Sequence, residues 1–332
     1  MFNQMKVSII IPVFNNELTI LQTINSVQAQ SYSNWEIVCV DDGSTDKTES
    51  IVNDCARIDY RIKYKKRVGQ IKGGSACRNI GIREATGDFI IFLDGDDILA
   101  DYCLENRVSA IREKNYDFAV FPFGSFSTDQ SHIRVHRVYD NKPEYLFVSS
   151  ISAWIITSTI FKRSFLIGLG GFDESFPRFQ DIELHLRALT SKDVKFFVFT
   201  KKQEDCYYRL STGGYNIGKL QIAIGRAFPK LINLIQELIR SGKLSDKQQL
   251  TYSMIALYAN MSIIKYSLWR NNVMVEGGNV LIDSGLLKQN TNSLCIPLLS
   301  FLSKDYSKVL FATIYYRIVW LIYRLTVHHL KY

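Results

Sequence analysis

The chain has 332 residues, of which 47% are hydrophobic and 22% charged, and it contains no low-complexity stretch. This composition excludes a disordered chain and leaves room for a second unit, because domains usually run to about 100–200 residues. The net charge of +8 favours an anionic partner. Because the basic residues are dispersed and no nucleic-acid recognition module is present, we expect a nucleotide or a membrane surface and no nucleic acid.

Six cysteines are scattered along the chain without a Cys-x-x-Cys pair: Cys39, Cys55, Cys77, Cys103, Cys206 and Cys295. Such spacing is typical of reduced thiols in a cytosolic protein, and it does not predict a zinc site. The first six residues lead directly into an apolar strand, without the length or the cleavage site of a signal peptide. We therefore expect a cytoplasmic location.

The chain between residues 7 and 87 alternates between strand and helix patterns. The expected strands cover residues 7–13, 35–41 and 61–66, and the expected helices cover 17–30, 47 onward and 75 onward. In the first helix the apolar positions Leu18, Leu21, Ile24 and Val27 recur at helical spacing. This alternation predicts an α/β fold with a mainly parallel sheet, whose ligands gather beyond the carboxyl ends of the strands.

Residues 88–97 form the most informative stretch. A short apolar run from Phe89 to Leu93 predicts a strand buried on both faces, and Asp94, Asp96 and Asp97 follow it at once. This concentration of negative charge predicts a divalent cation with a nucleotide diphosphate, and Gly95 allows the sharp turn between the acids. The alternative is a solvated acidic turn.

Other polar residues should reach the same edge of the sheet. Asp41 and Asp42 end the second strand, and Arg78 lies near the start of the third helix. A guanidinium there can meet a phosphate or a carboxylate. The alternatives are that Arg78 is a surface cation and Asp42 a turn acid.

The segment from residue 117 to 189 adds a strand over 117–123, an antiparallel strand over 133–139 and a helix over 180–189. Asp181 lies at the amino end of that helix, where the helix dipole keeps a carboxylate ionised and able to accept a proton from a hydroxyl. The alternative role of Asp181 is that of a helix cap.

Four stretches, residues 7–15, 41–46, 75–81 and 92–97, resemble the successive signatures of family 2 glycosyltransferases in order and spacing. The likeness extends to about residue 210. It implies a GT-A fold with a Rossmann-like half, a nucleotide-diphospho-sugar donor, inverting chemistry, and a divalent metal, Mn²⁺ or Mg²⁺.

The resemblance also implies roles for individual residues. Asp181 would be the catalytic base and Asp96 the metal ligand, while Asp42 would contact the uracil of a UDP-sugar. The remaining residues that it assigns to the nucleotide or the donor sugar are Pro12, Val13, Phe14, Asn15, Glu17, Arg78, Asp94, Gly95 and Arg209.

The chain departs from the family pattern at two positions. Gln180 stands where the family has a glutamate, and because an amide cannot take up a proton, Gln180 can only orient a neighbour. The histidine that the family often has shortly after this arginine is missing here. Arg209, Ser211 and the glycines at 213–214 would close over the nucleotide instead, or the glycines only link two domains. Glu183 is a weaker candidate for the base.

From residue 211 onward the pattern is helical, with expected helices at 220–240, 246–269, 279–287 and 306–331. We therefore expect a catalytic domain over residues 1–210 and a smaller, all-helical region over 211–332. In the last helix Arg317, Arg324 and Lys331 share one face, which suits an anionic membrane surface. The alternatives are packing on its own catalytic domain or between the protomers of an oligomer.

The resemblance, together with the basic last helix, implies a transferase that moves a sugar to a hydroxyl of a saccharide or a lipid-linked saccharide, as in cell-surface polysaccharide synthesis. It would be cytoplasmic or peripheral on the membrane. One alternative is a nucleotidyltransferase, although residues 12–16 are not the glycine-rich loop that a triphosphate requires. Another is a catalytically silent binder of nucleotide sugars that serves as an assembly partner.

Overall fold

The computed structural model describes residues 5–112, 114–127, 133–210 and 217–264. The expected helices at 279–287 and 306–331, together with Ser211 and the glycines at 213–214, lie outside these ranges. The chain divides into two compact units. The described part of the first unit comprises residues up to 140, 154–175 and 191–210, and that of the second comprises 141–153, 176–190 and 217–264. Each unit combines several stretches, whereas the sequence suggested a single boundary at residue 210.

Every described strand belongs to the first unit. The strands are β1 Val7–Val13, β2 Trp35–Asp41, β3 Ile62–Lys66, β4 Phe89–Phe92, β5 Ile98–Leu99, β6 Phe118–Val120, β7 Phe123–Phe126, β8 Ile133–His136, β9 Thr159–Lys162, β10 Phe196–Val198 and β11 Cys206–Arg209. Its helices are α1 Ile20–Gln28, α2 Thr48–Ile58, α3 Gly74–Glu84, α4 Cys103–Ile111 and α6 Arg163–Leu169, and a 3-10 turn covers Ile156–Ser158.

The larger sheet has seven strands in the order β10-β6-β9-β4-β1-β2-β3. Its neighbours are parallel except at β9, which runs antiparallel to both β4 and β6. The prediction of a mainly parallel sheet is therefore confirmed. β1 and β2 are buried along nearly their whole length, as expected for strands with helices packed on both faces.

The strand order reverses at β1, because β2 and β3 lie on one side of β1 and β4 lies on the other. Such a switch point opens a crevice beyond the carboxyl ends of the two strands. Pro12 fits inside β1 because it lies past Ile10, the last β1 residue paired with β4. At that position the missing N–H removes no bond of the sheet.

Helix α1 corrects the predicted apolar stripe. The helix begins at Ile20, so that Leu18 precedes it, and both Leu18 and Leu21 are exposed. The buried face consists of Ile20, Ile24 and Val27, with Thr23 between them. A repeat of three residues drifts around a helix of 3.6 residues per turn, and this drift explains why only half of the expected stripe is buried.

The smaller sheet has four strands in the order β5-β11-β7-β8. β8 is antiparallel to β7, which confirms the antiparallel strand predicted over residues 133–139. The strand predicted over 117–123 is instead divided into β6 and β7, and Pro122 lies between them. Because proline has no N–H for a ladder, the chain leaves the larger sheet at this point and enters the smaller one.

In the second unit the described regular elements are all helices: α5 Pro143–Val148, α7 Gln180–Leu189, α8 Ile217–Arg240 and α9 Lys247–Ile264. Helix α7 has the predicted bounds. Helix α8 starts earlier than expected and contains Pro229 in its interior. Within the described ranges, none of the helices combines the length and the apolar character needed to cross a bilayer.

The amino-terminal edge of the larger sheet is held by Glu36 of β2, whose side chain is only 2% exposed. One carboxylate oxygen accepts bonds from Ser8 Oγ (2.7 Å) and Thr86 N (2.6 Å). The other accepts bonds from Lys6 Nζ (3.0 Å) and Lys63 Nζ (2.8 Å). Burial alone would raise the pKa of Glu36, but these bonds together hold that pKa well below its usual range.

We expect Glu36→Gln to lower the free energy of unfolding by about 2 kcal/mol at neutral pH, since it breaks buried, charged hydrogen bonds. Because the folded pKa is depressed, the contribution of Glu36 is complete above the pKa of the unfolded carboxyl, about 4.3, and is lost as the pH falls below it. Urea unfolding of both proteins at neutral pH and at decreasing pH measures this. A stability difference that does not shrink in acid would contradict the assignment.

Candidate active site

The carboxyl ends of β1, β2 and β4 are joined by backbone hydrogen bonds. Asp42 N donates to Val13 O (2.9 Å), and Leu93 N donates to Ile10 O (3.0 Å). The loops that leave these three strands therefore start at the same edge of the sheet, at the crevice where the order reverses. Most of the polar residues selected from the sequence lie on these loops.

Asp41 is at this edge, but it is fully buried and shapes the turn that follows. Its Oδ1 accepts bonds from the N–H groups of Gly43 (2.9 Å) and Ser44 (2.7 Å), and its Oδ2 accepts one from the hydroxyl of Tyr64 (2.8 Å). Burial and this bond raise the pKa of Tyr64. Asp41 therefore stabilises the turn after β2, and Asp42 is the acid of the pair that reaches the loop containing Gly73.

Asp42 is held from two sides. Arg67 Nε donates to Asp42 Oδ1, and Gly73 N donates to Oδ2 (2.9 Å). The guanidinium of Arg67 is itself mostly buried. These contacts fix the orientation of the carboxylate. Arg67 was missed in the sequence, where the only signal is a basic residue directly after β3.

The loop after β1 is tied to the loop after β2. Asn15 adopts a left-handed conformation (φ 54°), and its Oδ1 accepts a bond from Thr45 N (2.9 Å). Glu17 Oε2 accepts one from Lys47 N (3.1 Å). The predicted ligands Asn15 and Glu17 therefore stabilise the loop, whereas the ring of Phe14 is 56% exposed at its tip.

The two other residues selected from β1 are less accessible than Phe14. Val13 is buried, and Pro12 is half-buried. Gly95 follows β4 and lies against the exit of β1, where a Cβ would come within 3.0 Å of Asn16 and 3.2 Å of Val13. Its carbonyl accepts a bond from Thr19 Oγ1 (2.9 Å). A side chain at this position would therefore fit only if Asn16 and Val13 moved slightly.

Arg78 and Asp94 form an ion pair in which Arg78 Nη2 lies 2.5 Å from Asp94 Oδ1. The guanidinium is buried, with its carbon 5.4 Å from the ring centre of Phe172, while Asp94 is partly exposed. The predicted meeting of Arg78 with a group in the crevice is therefore a contact with a carboxylate. It compensates part of the charge that follows β4.

Asn79, in the signature stretch 75–81, bonds to a segment that is far away in the sequence. Its Oδ1 accepts a bond from Phe172 N (2.8 Å), and its Nδ2 donates to Phe172 O (2.9 Å). Gly171 has a φ of +68°, and a Cβ on it would lie 2.4 Å from Asn79 Oδ1. The Gly-Gly-Phe stretch therefore supports the helix that carries Arg78. No role for Asn79 was predicted from the sequence.

Asp96 and Asp97 complete the acidic loop. Burial and the neighbouring Asp94 raise the pKa of Asp96. Asp97 is buried, and desolvation together with Asp94 and Asp96 raises its pKa well above the ordinary value. The nearby arginines therefore do not fully compensate the ionised form of these two carboxyl groups. Asp97 Oδ1 accepts a bond from Arg209 N (2.9 Å).

The side chain of Arg209 spans the gap between the acidic loop and α1. Its Nε donates to Asp96 O (2.9 Å), its Nη2 donates to Gln22 Oε1, and its guanidinium carbon lies 4.5 Å from the ring centre of Phe126. Arg209 was predicted to contact the nucleotide. Its described contacts instead hold the loop that carries Asp96, and any contact with a nucleotide stays a prediction.

The start of β11 is anchored by a fully buried ion pair. Arg107 of α4 donates to both carboxylate oxygens of Asp205, with Nη2 2.6 Å from Oδ1, and its Nη1 donates to Thr157 O (2.8 Å). Because Asp205 directly precedes β11, this pair fixes the strand that delivers Arg209. Neither residue was selected from the sequence.

In the second unit, Asp181 occupies the first turn of α7. The residue before the helix, Phe179, is left-handed (φ 63°), and His185 Nδ1 bonds to the carbonyl oxygen of Asp181 (2.7 Å). Burial lowers the pKa of His185 to about 4, so that His185 is neutral at pH 7. The bond to His185 therefore holds in place the helical turn that contains Asp181.

The rival acid on α7 is already engaged. Glu183 is buried and forms an ion pair with Arg187, whose Nη2 donates to Oε2 (2.9 Å). Gln180 Nε2 donates to Phe176 O (3.2 Å). Glu183 therefore has a local partner, Arg187, that would compete with an acceptor hydroxyl for its carboxylate.

A metal would have few protein ligands at this edge. In the described part of the chain no group of three or more His, Cys, Asp or Glu residues could hold an ion. Asp94 and Asp96 nevertheless offer carboxylate oxygens next to uncompensated negative charge. Magnesium and similar hard ions are often bound by one or two carboxylates and the phosphates of a substrate. The residues therefore fit an ion that is bound together with a diphosphate.

We expect Gly171→Ala to destabilise the protein more than Gly170→Ala. Both glycines have positive φ, so each substitution adds backbone strain of about 1 kcal/mol, but a Cβ meets no atom within 4 Å at Gly170 and meets Asn79 at Gly171. Displacing Asn79 should raise the loss to about 3 kcal/mol, because its buried bonds to Phe172 break. Chemical unfolding measures both losses. Equal losses would mean that the contact with Asn79 does not matter.

Comparisons with known proteins agree with this geometry. Residues 8–170 match the family described as glycosyl transferase family 2. An uncharacterized glycosyltransferase of Haemophilus influenzae is 29% identical over 267 residues, which cover 80% of this chain and 99% of that protein. The UDP-Glc:alpha-D-GlcNAc-diphosphoundecaprenol beta-1,3-glucosyltransferase WfgD of Escherichia coli is 41% identical over 112 residues, which cover 34% of this chain and 43% of WfgD.

Several other curated relatives are much longer, and the match spans only 18–24% of their length. Among solved structures, Staphylococcus aureus TarS 1-349 in complex with UDP-GlcNAc is 20% identical and has a TM-score of 0.67, with 97% of this chain and 92% of that chain covered. At this identity the likeness shows a shared fold. Through residues 8–170 the chain belongs to glycosyl transferase family 2, and its fold is of the GT-A type.

Proposed function

We propose that the protein is an inverting glycosyltransferase that moves a sugar from a nucleotide-diphospho-sugar to a hydroxyl group of a saccharide acceptor. The observation that carries the proposal is the acidic loop Asp94–Asp97 at the crevice between β1 and β4, with Arg78 and Arg209 on either side. Acids and arginines at such a switch point suit a diphosphate that is bound together with a cation.

We further propose that the donor is a UDP-sugar. Asp42 can only accept hydrogen bonds when ionised, and its carboxylate is oriented by Arg67 and Gly73. Uracil carries an N–H that such an acceptor can bind. The exposed ring of Phe14, at the exit of β1, offers a surface on which a base can stack. The UDP-GlcNAc in TarS and the UDP-Glc in the name of WfgD support this assignment.

In the proposed reaction Asp96 would hold Mn²⁺ or Mg²⁺, and Asp94, which is paired with Arg78, would contact the donor sugar. When bound, the ion offsets the negative charge that develops on the leaving diphosphate. Arg209 keeps the carbonyl and carboxylate of Asp96 in position by bonding the backbone of the loop. Because the loop is already ordered by these contacts, little rearrangement is needed on binding.

We propose that Asp181 is the general base. It takes the proton of the acceptor hydroxyl while the hydroxyl oxygen attacks the anomeric carbon, and the bond from that carbon to the diphosphate breaks as nucleoside diphosphate leaves. This single displacement inverts the configuration. The first turn of α7 favours an ionised carboxylate through the helix dipole. Gln180 cannot share the proton and serves only to orient.

The proposed acceptor is a lipid-linked saccharide, as in the synthesis of a cell-surface polysaccharide. The name of WfgD, which specifies a diphosphoundecaprenol acceptor, supports this class of substrate.

A location in the cytoplasm or on the cytoplasmic face of the membrane is part of the same proposal. The five described cysteines are free thiols, as the sequence led us to expect.

Turnover of a panel of nucleotide sugars with Mn²⁺ or Mg²⁺ tests the function. We expect Asp181→Asn to bind the donor normally but to lower kcat by about 10²-fold or more, because no base remains. Asp96→Asn should weaken metal-dependent donor binding. The matched control is Asp193→Asn, an exposed loop acid with positive φ that asparagine tolerates, and it should leave activity unchanged.

Two outcomes of this assay would contradict the transferase assignment, and a third would contradict only the role of Asp181. Donor binding without turnover would indicate a silent binder, and turnover that requires a nucleoside triphosphate would indicate a nucleotidyltransferase. Full activity of Asp181→Asn would remove Asp181 from the role of base while leaving the transferase assignment intact.

The contacts of Arg209 lead to a separate prediction. Arg209→Lys keeps the charge and the backbone bond to Asp97 but loses the fork that reaches Asp96 O and Gln22. We expect the metal concentration for half-maximal activity to rise about tenfold, the equivalent of one charged hydrogen bond of about 1.5 kcal/mol. Gln22→Ala removes a single contact and should have a smaller effect in the same direction. An unchanged metal requirement with reduced donor affinity would instead favour direct contact with the nucleotide.

A further inference from the structure

Helix α8 presents a line of basic residues to solvent. Lys219, Arg226, Lys230 and Arg240 are all exposed and are separated by seven, four and ten residues. At 100° per residue these spacings put the four side chains on one face of the helix. We call this face the basic stripe of α8.

The opposite face of α8 is apolar and buried. It consists of Ile224, Ala227, Phe228, Leu231, Ile232, Ile235 and Leu238. These residues fix the rotation of the helix about its axis, so the stripe cannot turn inward without exposing this face to water. The stripe therefore lies on the solvent-facing side of α8 in the described part of the second unit.

The stripe carries mostly positive charge. Glu237, seven residues after Lys230, lies on the same face and is the one acid of α8, and residues 217–264 contain six Lys or Arg against two acids. Six minus two leaves +4, half of the net charge of +8 of the whole chain. The second acid, Asp246, already forms an ion pair with Lys142. The described segment 217–264 therefore carries a net positive charge.

The shape of the stripe suits a flat and extended partner. From Lys219 to Arg240 the helix rises by about 32 Å at 1.5 Å per residue, and the basic residues follow its whole length rather than converging on one pocket. Ile222, on the same face, is 58% exposed. A line of exposed basic residues is attracted to the anionic headgroups of a membrane surface.

We propose that the basic stripe of α8 docks the protein on an anionic phospholipid bilayer, with Ile222 at the boundary between headgroups and acyl chains. This site differs from the last predicted helix, residues 306–331, and it does not depend on the transfer reaction. Each basic residue near an anionic bilayer strengthens binding about fivefold, so a short stripe gives weak, reversible and salt-sensitive attachment.

Sedimentation of the full chain with vesicles tests this proposal. We expect binding to vesicles that contain about one third phosphatidylglycerol and little binding to vesicles of phosphatidylcholine alone, with loss of binding at about 0.5 M salt. Arg226→Glu combined with Lys230→Glu should weaken binding at least tenfold. The control, Lys114→Glu with Lys201→Glu, changes the net charge equally at exposed sites of the first unit and should bind like the wild type.

Circular dichroism and thermal melting establish that the variants are folded, and Arg226→Gln with Lys230→Gln is the milder pair if the reversal prevents folding. Undiminished binding of the folded stripe variants would overturn the proposal and favour another segment, including residues 306–331. Equal loss in the control would show that only net charge matters. Preferential binding of soluble polyphosphate over vesicles would assign the stripe to an anionic polymer instead. Transferase activity towards a soluble acceptor should be unchanged in the stripe variants.

Discussion

The central constraint in the first unit is the accumulation of three carboxylates directly after β4. Asp94, Asp96 and Asp97 repel one another, and burial adds to the cost of their charge, as the raised pKa values of Asp96 and Asp97 indicate. Arg78 offsets part of this charge through Asp94, and Arg209 holds the loop through its backbone and side chain. In the proposed function, a cation bound together with the diphosphate would offset the negative charge that remains.

Two sets of buried contacts keep these arginines in place. Asn79 links the helix that carries Arg78 to the backbone of Phe172, and the left-handed Gly171 leaves room for that contact. The buried pair of Arg107 and Asp205 fixes the start of the strand that ends in Arg209. Because removal of one member of a buried pair leaves an unpaired charge, such residues are as sensitive to substitution as residues that touch a ligand.

Buried carboxyl groups have opposite pKa shifts at the two edges of the larger sheet. At the amino-terminal edge, Glu36 receives bonds from two lysines, a serine and a threonine, and its pKa is lowered. At the carboxyl-terminal edge the pKa values of Asp96 and Asp97 are raised. The first arrangement stabilises the fold, whereas carboxyl groups with perturbed pKa values in a crevice are typical of functional sites.

The sequence by itself determined the alternation of strands and helices, the mainly parallel sheet, the bounds of α7 and the edge at which Asp42, Arg78, Asp94 and Asp96 lie. These features follow from local apolar periodicity and from the rule that parallel strands end at one edge. Only the tertiary structure decided that Arg67, and not Lys65 or Lys66, bonds to Asp42, that Arg209 bonds to the acidic loop, and that α7 belongs to the second unit. Neighbouring basic residues look alike in sequence, and the choice among them depends on distances across the sheet that no local pattern contains.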